Sequence, residues 1–267
     1  MLNTPDLLKI AVEAAIKGGR EILDVYHHDF DVEYKQDKSP LTEADKRSHR
    51  AISELLAQTG LPVLSEEGKS ISYEVRQAWD RFWLVDPLDG TKEFVKRNGE
   101  FTVNIALVIN GKPEMGIIFI PVTGVLYFAS FTSGARKIKL DELKEISFDK
   151  IMQKADILPQ ARHSAKMTVV CSRSHMSPET EAYIDGLRNA GHDIDFVSIG
   201  SSLKLCLVAE GKADIYPRFG PTMEWDTAAG QAIAEISGCS VLIAGTSETV
   251  SYNKPDLLNP WFIVSRK

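Results

Sequence analysis

Residues 83–91 read Trp83-Leu84-Val85-Asp86-Pro87-Leu88-Asp89-Gly90-Thr91, and this stretch limits the possible folds more than any other. The apolar run Arg81–Val85 has the composition of a buried strand. It ends at Asp86, and Pro87, which has no N–H to offer a sheet, forbids its continuation. The chain then turns and presents Asp89 beside Asp86. Two carboxylates three residues apart across a turn repel one another unless they are protonated or share a cation. Oxygen-only ligands, with no His or Cys among them, select a hard divalent ion, so Mg²⁺ fits better than Zn²⁺. Gly90 lets the backbone come close to a ligand, and the N–H groups of a short helical turn starting near Thr91 suit phosphate oxygens. Standing alone, the same residues also make an ordinary turn with a cap.

Other acids give the motif its weight. Ser65-Glu66-Glu67 closes the preceding strand Pro62–Ser65, where a third carboxylate can reach the same cavity. Glu224-Trp225-Asp226-Thr227-Ala228-Ala229-Gly230 places Asp226 at the start of an Ala-rich helix, as an N-cap that can also face a metal. Strand ends and helix starts are where open α/β folds put ligand sites.

The rest of the chain supplies a frame for them. Thr4-Pro5-Asp6 predicts a helix start with Thr4 as cap, and apolar residues at helical spacing carry that helix to about Tyr26. A second helix is predicted from Thr42 to Gln58, capped by Thr42 and with Asp45 in its first turn. Strands Thr102–Val108, Lys112–Pro121 and Gly124–Phe131 follow as a meander, their turns marked by Gly or Pro, as at Asn110-Gly111. Residues 135–166 are charged and weakly patterned, and read as a surface excursion near a seam between two lobes. Beyond them strands (Thr168–Cys171, Asp195–Ile199, Asp214–Tyr216, Trp261–Ser265) alternate with helices (Pro178–Ala190, Ser201–Glu210, Thr227–Ser237). A mixed meander followed by alternating units predicts a layered α/β (α+β) sandwich, with an N-terminal α+β lobe over 1–160 and a C-terminal α/β lobe over 161–267.

With 267 residues, 43% of them hydrophobic, the chain is long enough to bury a sizeable core. Its net charge of −6, with 31 basic residues scattered along it, argues against polymeric nucleic acid as a partner. An acidic protein that handles a phosphorylated small molecule needs metal cations to hold the anion. No signal peptide is evident at the N-terminus, and the most apolar stretch, Met115–Ser130, is too short for a membrane span. Cys171, Cys206 and Cys239 lie far apart in apolar surroundings, as buried small hydrophobes of a reducing cytosol do. The expectation is a cytoplasmic protein. Nothing in the sequence separates a monomer from a homodimer.

Glu66-Glu67, Asp86-Pro87-Leu88-Asp89-Gly90-Thr91 and Trp225-Asp226-Thr227-Ala228-Ala229-Gly230 resemble, in order and approximate spacing, the three signatures of the inositol monophosphatase superfamily. Lys35-Gln36-Asp37-Lys38-Ser39-Pro40-Leu41-Thr42-Glu43-Ala44-Asp45 and Lys92-Glu93-Phe94 are similar to its 3'(2'),5'-bisphosphate nucleotidase branch. So are Ser172-Arg173-Ser174-His175 and Gly200-Ser201-Ser202-Leu203-Lys204. Leu88 and Leu41 stand where many relatives have Ile and Val; position 88 acts through its carbonyl, so the chemistry is undisturbed.

The resemblance implies an α-β-α-β-α sandwich of the sugar-phosphatase type. It implies two or three Mg²⁺ bound by Glu66, Asp86, Asp89, Asp226 and the Leu88 carbonyl, with Glu66, Asp45 and Thr91 catalytic. Glu66, Leu88, Asp89 and Asp226, with the N–H groups of Gly90 and Thr91, would meet the substrate's phosphate. Ser172, His175, Ser201, Lys204 and Arg218 are its candidates for the ribose, base or second phosphate; Lys204 fits a solvated helix face equally well. The implied reaction is metal-assisted hydrolysis of 3'-phosphoadenosine 5'-phosphate to AMP and phosphate, with phosphoadenylyl sulfate as a second target. Such a step clears a by-product of sulfate activation. A phosphatase of inositol phosphate or of a sugar bisphosphate is the rival within the superfamily. A non-catalytic phosphonucleotide sensor is the rival outside it. Relatives allow loose attachment to the inner face of a membrane, which no lipidation motif or basic amphipathic helix supports here.

Overall fold

The computed structural model describes residues 3–34, 40–140, 147–160, 166–172 and 177–266. In chain order the first half contains α1 (Thr4–Tyr26), β1 (Val32–Tyr34), β2 (Pro40–Thr42), α2 (Glu43–Leu56), β3 (Val63–Ser65), α3 (Tyr73–Arg76), β4 (Arg81–Asp89), α4 (Thr91–Val95), β5 (Thr102–Ile109), β6 (Lys112–Ile120), β7 (Val125–Ser130), β8 (Gly134–Lys139), α5 (Phe148–Lys154) and β9 (Asp156–Ile157). The second half contains β10 (Met167–Ser172), α6 (Pro178–Asn189), β11 (Ile194–Ile199), α7 (Leu203–Glu210), β12 (Ile215–Arg218), α8 (Glu224–Ile236), β13 (Cys239–Ile243) and β14 (Phe262–Arg266).

Strands β3 to β9 form one seven-stranded sheet in sequence order, antiparallel except for the parallel pair β3–β4. A five-stranded sheet has the order β11-β10-β12-β14-β13, and β1 and β2 form a separate ribbon. Alternating residues of the large sheet face opposite ways, as strand geometry requires. Trp83, Val85, Ile105, Ile117 and Phe119 pack against α1 and α2. Phe82, Leu84, Ala106 and Ile118 pack against α7, α8 and the inner face of the small sheet. Helix α6 covers the outer face of the small sheet through Ile184. The layers therefore run α-β-α-β-α. Each fully buried aromatic or aliphatic side chain contributes about 1.5–3 kcal/mol relative to exposure, so the middle layer, shared by both sheets, holds them firmly in place.

Gly116 explains how close that layer lies: a Cβ there would stand 2.1 Å from the Ala229 carbonyl oxygen. Only glycine lets α8 lie down on β6, and α8 is the helix that carries Asp226. Among the described residues no helix is long and apolar enough to cross a membrane. The three cysteines are free and buried.

Several expectations change. The cap of α1 is Asn3, whose side chain accepts from the Asp6 N–H at 2.9 Å, so Thr4 is already inside the helix. Helix α8 begins at Glu224, which makes Asp226 its third residue; its carboxylate reaches back to accept from the Met223 N–H at 2.8 Å. Strand β4 continues through Pro87 to Asp89. It does so by a bulge: Asp86 pairs with Asn104 and Asp89 with Thr102, so the missing proline N–H falls where the ladder is already interrupted. Residues 135–166 do not form one excursion, because β8 and β9 extend the large sheet and α5 packs beneath it. The small sheet also has an unforeseen edge strand, β13.

Candidate active site

The site is assembled at the mouth between the two sheets. Helix α2 is capped by Thr42, and Asp45, in its first turn, completes a capping box. Asp45 Oδ2 accepts from the Thr42 N–H at 2.7 Å and its hydroxyl at 2.6 Å. Its Oδ1 accepts from the Thr91 hydroxyl at 3.2 Å. Thr91 also lies 3.4 Å from the Leu88 carbonyl oxygen. Gly90 turns the chain between them with φ of 94°, a left-handed conformation that side chains resist. A Cβ at Gly90 would also strike Ser201 Oγ, at 2.3 Å.

Glu66 follows β3, Asp86 lies in β4 and Asp226 in the first turn of α8. One carboxylate oxygen of each lies within 4.8 Å of the other two. The Asp86 carboxyl titrates well above the usual carboxylate range, first because it is buried and then because Glu66, Asp89 and Asp226 repel its charge. Burial, with the neighbouring Asp89 charge, pushes Asp226 up to about 8. These groups do not tolerate their own negative charge without a cation, and every donor among them is oxygen. That is the chemistry of a Mg²⁺ site rather than a zinc or thiolate site.

Asp89 stands beside this trio and outside it. Its Oδ2 accepts from the Ser202 N–H at 2.6 Å, with Thr102 Oγ1 and Asn104 Nδ2 each at 3.5 Å. Burial raises its pKa, against the pull of Lys204. Asn104 in turn accepts from Ser202 Oγ at 2.8 Å, and Ser201 Oγ donates to the Asp89 carbonyl at 3.0 Å. Thus β4, β5 and the start of α7 are laced together around Asp89.

A cavity of about 360 Å³ opens from there, lined among others by Asp89, Ser201, Lys204, Tyr216, Arg218 and Asp226. Three of the five predicted second-lobe residues therefore face the same space as the carboxylates. Lys204 is not on a solvated face: it is 7% exposed, donates to the Ser201 carbonyl at 2.6 Å and lies over the Tyr216 ring. Burial pulls its pKa down to about 8 although Asp89 opposes the shift. Arg218 donates to the Pro221 carbonyl at 2.8 Å, while its buried Nε has no partner among the described residues. His175, and the side chain of Ser172, lie outside the described residues, as does 35–39 of the segment preceding Asp45.

Lys92 and Lys96 also line the cavity, and the sequence reading passed them over as site residues, along with Asn104 and Ser202. The available signal for Asn104 was its place as the one polar residue inside the apolar run Val103–Ile109.

Comparison with known proteins places the chain in a family. The profile of the Inositol monophosphatase family matches residues 4–266. The chain is 45% identical over 264 residues to the 3'(2'),5'-bisphosphate nucleotidase CysQ of Salmonella typhimurium, covering 97% of this chain and 99% of that one. It is 44% identical over the same length to the protein of that name from Escherichia coli K12. The crystal structure of CysQ from Bacteroides thetaiotaomicron, a bacterial member of the inositol monophosphatase family, superposes with a TM-score of 0.91 at 51% identity, covering 100% of this chain and 99% of that one. The inositol monophosphatase of Anabaena, at 23% identity and a TM-score of 0.72 over 99% of this chain and 92% of that one, shares the fold.

Proposed function

The chain belongs to the inositol monophosphatase family, and from that premise we propose that it is a magnesium-dependent 3'(2'),5'-bisphosphate nucleotidase. It hydrolyses the 3'-phosphate of 3'-phosphoadenosine 5'-phosphate to give AMP and phosphate. The 3'-phosphate of phosphoadenylyl sulfate is a second target of the same chemistry, which links the enzyme to sulfate assimilation. The observation that carries the reading is a single cavity whose lining joins the carboxylates Asp89 and Asp226 to Lys204 and Arg218. A substrate with two phosphates matches that lining, one phosphate meeting the cation site and the other the buried lysine and the partly exposed arginine. An inositol monophosphate leaves the lysine and arginine unused.

Enzymes of this family depend on Mg²⁺. Glu66, Asp86, Asp89 and Asp226, with the Leu88 carbonyl, are the groups that would hold two or three ions. Bound there, Mg²⁺ supplies the charge that acidifies a water and neutralises the phosphoryl oxygens. Thr91 and Asp45 align that water: Thr91 Oγ accepts its proton while donating its own toward Asp45 Oδ1, whose orientation is fixed by the two bonds from Thr42. The Gly90 and Thr91 N–H groups hold phosphoryl oxygens as charge builds on them. The water oxygen bonds to phosphorus, the bond to the ribose 3' oxygen breaks, and that oxygen leaves with the electron pair and takes a proton. No side chain forms a covalent bond to phosphorus.

The test is product analysis. Purified protein with 3'-phosphoadenosine 5'-phosphate and Mg²⁺ should release AMP and one equivalent of phosphate, and a chelator should stop it. Release of adenosine 3'-phosphate would contradict the assignment of which phosphate sits at the carboxylates.

A further inference from the structure

Helix α2 does more than carry Asp45. One turn on, Ser48 is fully buried, and its Oγ donates to the Pro87 carbonyl at 2.9 Å, 39 positions away in sequence. That carbonyl belongs to the Pro87–Leu88 peptide, which lies in the bulge where β4 loses its pairing with β5. Pro87 and Leu88 are both buried. A buried peptide in a bulge has no ladder partners, and its polar groups must find others. The other edge of the same peptide, the Leu88 N–H, donates to Asp86 Oδ1 at 3.0 Å. The plane is therefore pinned at both edges, by the Ser48 hydroxyl and by the Asp86 carboxylate.

A peptide unit is rigid. Tilting the Pro87 carbonyl tilts the Leu88 N–H, and with it the Asp86 oxygen that this N–H holds. The Leu88 carbonyl, one peptide further on, moves too. Helix α1 closes over the spot: a Cβ on Gly18 would come within 2.8 Å of Ser48 Oγ. The next residue of α2 acts in the same sense, since His49 Nδ1 lies 2.9 Å from the hydroxyl of Ser65, the neighbour of Glu66. A single turn of α2 thus touches the segments that carry Glu66, Asp86 and Leu88.

We infer that Ser48 is a positioning residue for the cation site, setting the Pro87–Leu88 peptide and through it the Asp86 carboxylate and the Leu88 carbonyl. The inference rests on the reading of those two groups as Mg²⁺ ligands. Residues that orient metal ligands typically cost 10–100-fold in metal affinity when removed.

The test is a calorimetric titration of the full chain with Mg²⁺ alone, for wild type, Ser48→Ala and Ile52→Val. Ile52 is buried on the same helix one turn beyond Ser48 and has no hydroxyl to give the Pro87 carbonyl, so I52V reports the effect of loosening the packing of α2 with that hydrogen bond kept. S48A should bind Mg²⁺ about tenfold or more weakly. The Mg²⁺ concentration for half-maximal kcat should rise with it, while KM for the phosphonucleotide at saturating Mg²⁺ stays within about twofold. I52V should lower Tm and leave Mg²⁺ affinity at the wild-type value. Wild-type Mg²⁺ affinity in S48A, or an equal loss in I52V, overturns the positioning role. A wild-type protein that takes up no Mg²⁺ overturns the ligand reading itself, and the inference with it.

Discussion

Strand β4, the residue after β3 and the start of α8 bring carboxylates to the site as its anionic wall, whereas α7 and β12 bring Lys204 and Arg218 as its cationic wall. On the first, Glu66, Asp86 and Asp226 crowd together, and burial drives the pKa values of Asp86 and Asp226 up. On the second, Lys204 is buried and its pKa is driven down. Both walls are electrostatically incomplete in the free protein, in opposite senses. In the proposed reading, metal cations complete the anionic wall and an anion of the substrate completes the cationic wall. What joins them is Asp89 of the anionic wall, tied to the Ser202 N–H at the start of α7. Chemistry and recognition are thus assigned to different walls joined by a few hydrogen bonds, and substitutions should tell them apart.

The largest effect belongs to the anionic wall. Asp89→Asn should lower kcat/KM by about a thousandfold or more, some 4 kcal/mol, with an unchanged circular dichroism spectrum. Near-normal turnover at saturating Mg²⁺ would mean that the carboxylates are not the metal site. Next comes the water-orienting pair: Asp45→Asn should cut kcat by about a hundredfold, with KM much less affected, in steady-state kinetics. An equal change in both constants would move Asp45 from catalysis to binding. On the cationic wall, Lys204→Met should raise KM for the bisphosphate about thirtyfold, near 2 kcal/mol, and leave Mg²⁺ affinity intact by calorimetry. Loss of Mg²⁺ binding in that variant would show that the walls are not separable.

The smallest effect is on stability and has opposite signs for the two walls. Without metal, Asp226 holds a proton in the folded state up to about pH 8, whereas an unfolded aspartate loses it near pH 4. Stability should therefore fall as pH rises between those values. Lys204 loses its proton near pH 8 when folded and only above pH 10 when unfolded, so its contribution rises beyond pH 8. The Tm of chelator-treated protein should pass through a minimum near pH 8, and Mg²⁺ should remove the descending limb. A Tm that climbs steadily from pH 5 to 8 without metal would contradict the charge crowding.

Much of the anionic wall was legible in the sequence because its residues sit where local rules operate. Val85-Asp86-Pro87 marks the end of an apolar run, and Thr42 caps a helix three residues before Asp45. The cationic wall was less legible. Lys204 lies in the first turn of a mostly apolar helix, and its burial depends on α7 being sandwiched between two sheets that no local pattern announces. The bulge at Pro87 was misread as a strand end, since a proline's missing N–H looks the same whether the strand stops or skips. Strand β13 was missed because Cys239–Ile243 is a short apolar run whose partner, β14, lies about twenty residues on. Asp226 was read as the cap although it lies three positions inside it, because the helix start depends on a bond between its carboxylate and the Met223 N–H.

The central claim is that the two walls together select a substrate with two phosphates. The direct test is phosphate release, with and without Mg²⁺, from 3'-phosphoadenosine 5'-phosphate, inositol 1-phosphate and fructose 1,6-bisphosphate in parallel. The account predicts Mg²⁺-dependent release with at least about a hundredfold preference in kcat/KM for the nucleotide, some 2.7 kcal/mol. An equal or greater rate on inositol 1-phosphate would contradict it, leaving the metal chemistry of the anionic wall in place and removing the role assigned to Lys204 and Arg218.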